Sequence, residues 1–259
     1  QEDPAVYGPA PGQRYASRDP DKTDTPRLVR LLLATPRGKH RDEVEKTILI
    51  VCEKLPKGAD RAEPVLAALA NVDPSQAPSY LPLLGRLGGP KALKIIRSVL
   101  HSTDRRVQEA AVRALCNWPD AAVADKLLEI AGGSENKAFR QWALRAYVRV
   151  VTLQSDRPEA RTLAMLESAM KLARKPEDRQ LIMRRAATVR TMEAVDWIAG
   201  YLDDSAVAQA ACEAIVELAH HRFLRHPNMK RFGPILEKVG KISKDPAVVE
   251  RARRYRLGL

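Results

Sequence analysis

Asp104-Arg-Arg-Val-Gln-Glu-Ala-Ala-Val-Arg-Ala-Leu115 is the stretch that decides the fold. An aspartate suited to capping a helix start is followed by Val107, Ala110, Ala111, Ala114 and Leu115, the i, i+3, i+4, i+7 spacing of one apolar helix face. The block returns as Arg140-Gln-Trp-Ala-Leu-Arg-Ala-Tyr147 and Arg179-Gln-Leu-Ile-Met-Arg-Arg-Ala186, and in weaker form over 208–215 and 248–255. Aligned on Arg113, Arg145, Arg184, Glu213 and Arg253, successive copies stand 32, 39, 29 and 40 residues apart. That is the period of stacked helical hairpins, each burying its apolar face on its neighbours. The expectation is an all-α chain, an α-solenoid with a right-handed superhelix of about seven hairpins.

Punctuation along the chain divides it further. Pro26, Pro90, Pro119, Pro158, Pro176 and Pro246 each stand before an apolar-periodic run, where proline suits a helix start. Leu87-Gly-Gly-Pro90 ends one helix and opens another, Ala131-Gly-Gly-Ser134 separates two more, and Asp104, Asp204 and Asp245 are placed to cap the helices they precede. These marks predict hairpins over 26–55, 58–87, 90–117, 119–153, 157–188, 191–221 and 228–258. Residues 1–24, with four prolines, two glycines and no helical period, read as a tail ahead of a solenoid spanning 25–259.

In the second helix of each hairpin the core stripe falls at Ala111, Val112, Leu115, Cys116, then Ala143, Leu144, Tyr147, Val148, then Ile182, Met183, Ala186, Ala187, then Ala211, Cys212, Ile215, Val216. Ala114, Ala146 and Ala214 leave room for adjacent repeats to approach closely. In the last block the stripe reads Arg251, Ala252, Tyr255, Arg256, so 228–259 reads as a C-terminal cap with a polar outer face.

The formal charge is +12, and the first 25 residues, with five acidic and three basic side chains, contribute none of the excess. A body so basic favours anionic partners. Cys52, Cys116 and Cys212 are widely spaced and without ligand-spaced histidines, which argues against a disulfide framework and a structural zinc; Cys116 and Cys212 read as small core residues. No apolar run approaches the roughly 20 residues of a membrane span. The start at Gln1, followed by an acidic Pro- and Gly-bearing stretch, has the look of a mature exported protein after signal removal, so an exported or periplasmic location is expected over a cytoplasmic one, although a shortened chain would read the same.

The run from Asp104 to Leu115 resembles the HEAT-repeat signature, and Leu81 to Val151 is similar to bacterial HEAT-like repeats of the kind grouped with the phycobiliprotein-lyase repeats. The resemblance covers most of 26–258 in degraded form. It implies a solenoid whose second helices line a concave surface, and it carries over no active-site residue.

Beside the core stripe runs an exposed one: Glu109, Arg113, Asn117; Gln141, Arg145, Arg149; Gln180, Arg184, Thr188; Gln209, Glu213, Glu217. It changes from mixed through basic to acidic. One reading is a groove that grips an acidic protein or peptide through Arg113, Gln141, Arg145, Arg149, Gln180 and Arg184; the other is a set of solvated faces with i, i+4 pairs such as Glu109 with Arg113. On the first reading, charge reversal of Arg145, Arg149 and Arg184 abolishes capture and leaves helicity and melting unchanged; the replacement of the repeated Arg by Glu213, for which packing alone gives no reason, points to function in that position. His221, Arg222, Arg225 and His226, in the densest basic stretch, are candidates for an anion-binding loop, against a helix C-terminus that simply favours cations. Trp118 and Trp197 read as packing anchors, while Trp142 either fills a gap between repeats or reaches the concave face.

The expected function is that of a monomeric, non-enzymatic interaction scaffold without cofactor or metal. The alternative is a nucleic-acid-binding protein, including an alkylpurine DNA glycosylase-like enzyme; that class is similar in size and charge and uses aromatic and Asp side chains, for which the tryptophans and Asp196 would stand. A DNA surface requires Lys and Arg concentrated along one wall, which Glu213 and Glu217 interrupt.

Overall fold

The computed structural model describes residues 21–56 and 58–259; the expected tail lies outside them except for its last four residues. Asp21 there caps a 3-10 turn over Lys22–Asp24 that runs into the first helix. All regular structure among the described residues is helical, as an α-solenoid requires, and the chain forms two compact units that meet in sequence at Pro119 and Asp120.

The first unit holds α1 (Thr25–Ala34), α2 (Lys39–Glu53), α3 (Glu63–Leu69), α4 (Ala77–Leu87), α5 (Pro90–Ser98) and α6 (Arg105–Cys116). Its second hairpin departs from the regular pattern, because α3 has only seven residues and packs chiefly against α1. Gly88 and Gly89 between α4 and α5 sit at φ 75° and 93°, the left-handed region that a side chain disfavours, so the chain can stop one helix and start the next with no spacer. The helices α4 and α6 touch at Gly85, where an added Cβ would lie 2.4 Å from the Ala114 carbonyl oxygen. This is the close approach that the small residue at 114 permits. Trp118 is buried beside the Gly88 turn.

The second unit holds α7 (Ala124–Gly133), α8 (Lys137–Val151), α9 (Glu159–Leu172), α10 (Pro176–Ala186), α11 (Met192–Ala199), α12 (Ala208–His220), the single turn α13 (Arg222–Arg225), α14 (Met229–Ile242) and α15 (Pro246–Arg256). The second helices α8, α10, α12 and α15 lie side by side as one layer. Their expected core stripes are buried at Ala143, Leu144, Tyr147, Val148, Ile182, Met183, Ala186, Ala211, Cys212, Ile215 and Val216, and each large aliphatic side chain so removed from water stabilises by about 1.5–3 kcal/mol. Cys116 in the first unit is only half-buried, unlike Cys52 and Cys212.

Local chemistry sets the helix starts. Asp104 accepts from the Arg106 amide, Asn136 from the Ala138 amide and Asp245 from the Ala247 amide, each at 2.8–2.9 Å. Asp204 differs from expectation. Its side chain accepts from the Ala206 amide, and α12 begins only at Ala208, so Asp204 closes a turn ahead of the helix.

Candidate functional site

The exposed stripe of the second unit is a ladder of links between successive repeats. On α8, Gln141 accepts from Lys175 Nζ at 3.0 Å and Arg145 Nε donates to Asp178 Oδ1 at 2.7 Å. From α10, Gln180 donates to the Ala206 carbonyl at 2.8 Å and Arg184 Nε reaches Glu213 Oε2 at 3.3 Å. From α12, Gln209 accepts from the Lys244 amide at 3.0 Å and Glu217 meets Arg251 at 3.2 Å. Each rung joins a side chain to the next repeat. The change of sign along the stripe therefore has a packing reason after all: Glu213 answers Arg184, and Arg251 answers Glu217.

The rungs differ in burial, which decides their weight. The Asp178 side chain is 5% exposed and Arg145 49%, whereas Arg184 and Glu213 are 52% and 38% exposed. An exposed pair contributes little, but a buried carboxylate depends on its counter-charge. Reversing Arg145 would place a second carboxylate against Asp178, so melting would not stay unchanged, and that expectation is corrected. Arg149 is half-buried on α8. Arg113 belongs to the first unit, where its Nε meets Glu109 of the same helix at 2.9 Å.

A second use of arginine recurs. Arg41 donates to the Thr35 carbonyl, Arg140 to Ser134, Arg157 to Val151 and Arg225 to Ala219, at 2.6–2.9 Å and always six residues back. Each acceptor lies at the C-terminal end of the preceding helix, where unpaired carbonyls carry the negative end of the dipole. These guanidiniums staple a loop, and their charge meets only neutral acceptors at those bonds. The sequence signal was an Arg six positions past a helix end, which amphipathic patterning does not capture.

The His-rich stretch does not present its four candidates together. Arg225 is 1% exposed; it also donates to the Leu259 carbonyl at 3.1 Å and lies over the Tyr255 ring at 4.6 Å. It is a clamp between α13 and the C-terminal segment, which removes it from an anion-binding role. His221 is half-buried, and burial, followed by the charge of Arg190, pulls its pKa below the usual histidine range. Arg222 and His226 remain exposed, and Phe223 between them is 98% exposed. Among the described residues no group of three or more His, Cys, Asp or Glu could hold a metal ion.

The aromatic and acidic residues of the glycosylase-like alternative are occupied elsewhere. Asp196 is engaged by Arg231, Trp197 lies edge-on to Tyr201 with centroids 5.6 Å apart, and half-buried Trp142 packs on Phe139. Burial pushes the Cys52 and Cys212 thiols up to about 11, so both are held protonated at neutral pH.

Two hollows flank the ladder. A polar one of about 370 Å³ lies at the C-terminal ends of α8 and α10, among Thr152, Gln154, Ser155, Arg157, Thr188 and Arg190. A smaller one of about 220 Å³ lies at their N-terminal ends, over Ala131, Leu144 and Leu172, with Lys137, Arg140, Arg174 and Lys175 around it.

Residues 62–148 match the HEAT repeats family, so the chain carries HEAT repeats over that span. Among solved structures, a crystal structure of an engineered protein from the Northeast Structural Genomics Consortium is similar at 19% identity and a TM-score of 0.43, over 90% of this chain and 67% of that one. No curated protein matches the chain. No helix of the described residues is long and apolar enough to cross a membrane.

Proposed function

We propose that this protein is a non-enzymatic interaction scaffold whose second unit takes an acidic protein or peptide segment along the α8–α10 ridge, at Gln141, Arg145, Arg149, Gln180 and Arg184. Arg113 on α6 is the corresponding residue of the first unit. HEAT repeats generally serve as protein-interaction scaffolds, and the charge distribution supplies the partner's sign. Residues 137–190 hold thirteen Lys and Arg against five Asp and Glu, while the rest of the second unit, 120–136 and 191–259, holds twelve against thirteen. The whole excess of that unit therefore sits on two repeats, where it attracts an acidic segment and orients it.

Catalysis fits the site poorly. Its buried carboxylate, Asp178, is answered by Arg145, and the buried thiols of Cys52 and Cys212 are held protonated. The test is fluorescence anisotropy with a labelled oligoglutamate peptide at low salt. Arg149→Gln with Arg184→Gln, which leaves the Arg145–Asp178 rung intact, is expected to weaken binding by about tenfold, equivalent to about 1.4 kcal/mol. Equal affinity of the variant and the parent protein, with helicity preserved, would remove the ridge from the reading.

A further inference from the structure

We infer that the hollow between the starts of α8 and α10 is an anchor pocket for a phosphate monoester carried on a short apolar stem. The inference deepens the acidic-partner reading, since it names the group on the partner that seats most firmly.

Charge pairing carries the argument. Several cations of the second unit are met by carboxylates: Lys126 by Glu129, Arg145 by Asp178, Arg179 by Asp204, Arg184 by Glu213, Lys238 by Asp203 and Arg251 by Glu217. What sets the hollow apart is that four cations converge on one small space and, among the described residues, none of them is met in this way. Arg140 donates to the carbonyl oxygens of Ser134 and Glu135, and Lys175 to the amide oxygen of Gln141. These acceptors supply at most the partial charge of a helix end and not a full counter-charge. Lys137 and Arg174 are exposed, and no carboxylate among the described residues stands within ion-pair distance of either. The one acid lining the hollow, Asp178, is already bonded to Arg145.

Four like charges around one small space repel each other, and a bound anion relieves that repulsion. Their position sharpens the point. Lys137 opens α8, Arg140 lies in its first turn and Lys175 is the residue before α10, so the positive ends of α8 and α10 add to the charge at the hollow, while the C-terminal ends of α7 and α9, at Ser134 and Ala173, offset part of it.

Size and lining narrow the ligand class. At about 220 Å³ the hollow falls below the roughly 300–1,000 Å³ of a drug- or cofactor-sized pocket and suits one side-chain-sized group. Its floor of Ala131, Leu144 and Leu172 suits an apolar stem. Four uncompensated cations fit a dianion with three acceptor oxygens better than a single carboxylate.

Isothermal titration calorimetry at fixed ionic strength tests the inference, with phenyl phosphate, inorganic phosphate and benzoate as probes. Phenyl phosphate is expected to bind most tightly, because only it offers both dianion and stem. Lys137→Gln with Arg174→Gln is expected to raise its Kd at least about tenfold; both side chains are exposed, and circular dichroism verifies the fold. Absence of phenyl phosphate binding, an unchanged Kd in the variant, or tighter binding of benzoate would overturn the assignment. A phosphotyrosine peptide that binds more tightly than phenyl phosphate places the ester on a protein partner, whereas equal affinities make it a small phosphorylated molecule. If phenyl phosphate fails while oligoglutamate still binds through Arg149 and Arg184, the hollow is lost and the ridge stands; the reverse result removes the ridge alone.

Discussion

Replacing Arg145 by alanine tests whether burial gives the inter-repeat rungs their unequal weights. Arg145 donates to Asp178 at 2.7 Å, and the aspartate side chain is 5% exposed, so the substitution strands a carboxylate that water hardly reaches. Breaking a fully buried pair costs about 3–5 kcal/mol, and an unsatisfied buried group about 1–3 kcal/mol. Arg145 itself is 49% exposed, so water enters where it leaves, and a loss of about 2 kcal/mol is expected. Arg184→Ala removes a rung of similar form, but its partners are 52% and 38% exposed, and the expected loss is at most about 1 kcal/mol. At about 2–4 °C per kcal/mol for a chain of this size, Tm should fall by about 4–8 °C for Arg145→Ala and by less than about 4 °C for Arg184→Ala. Urea unfolding followed by circular dichroism gives the free energies directly. The further change Asp178→Asn in the Arg145→Ala background removes the stranded charge and should restore part of the loss. Equal losses from the two arginine substitutions, or no recovery from Asp178→Asn, would refute the reasoning.

Gly85→Ala should destabilise by about 1–3 kcal/mol in thermal or urea unfolding although alanine is the better helix former, because its Cβ would meet the Ala114 backbone at 2.4 Å and α4 would have to move off α6; a stabilised variant would contradict the close approach. Asp204 is held below its ordinary 3.8, first by the hydrogen bond from Arg179 and then by the Ala206 amide. A depressed carboxyl stabilises above its unfolded pKa and loses that contribution as pH falls through the folded one. The Tm difference between the parent protein and Arg179→Ala should thus be full at pH 6 and shrink below about pH 4; a difference that grows with acid would show that Arg179 acts through something other than Asp204.

Helix boundaries were legible because they depend on neighbours in sequence. Proline at the first turn, an Asp or Asn cap and the Gly88–Gly89 stop act over a few residues, and the starts of α5, α6, α10 and α15 follow from them. Asp204 shows the limit of that reasoning, since a cap three residues ahead of the N-cap position, Val207, looks identical in sequence. The ridge residues were legible as exposed, by register, and their partners were not. Arg145 reaches 33 residues ahead, Arg184 29 and Glu217 34, so no constant offset assigns the pairs. The hollow was missed because its cations come from two separate helix starts and stand off the repeating stripe.

By itself, the sequence determined that this chain is a stack of helices, which side of each faces the core, and that its charge is basic. Those properties follow from periodicity, propensity and counting, all of which are local or additive. Tertiary structure alone decided which charges are cancelled. It showed that Arg145 is bound to a buried acid, that Arg225 is an internal clamp, that Glu213 and Glu217 answer arginines of neighbouring repeats, and that Lys137, Arg140, Arg174 and Lys175 are left without a carboxylate. Ion pairing depends on separations of a few ångströms between residues about thirty positions apart, and only the packing of one repeat on the next sets those separations.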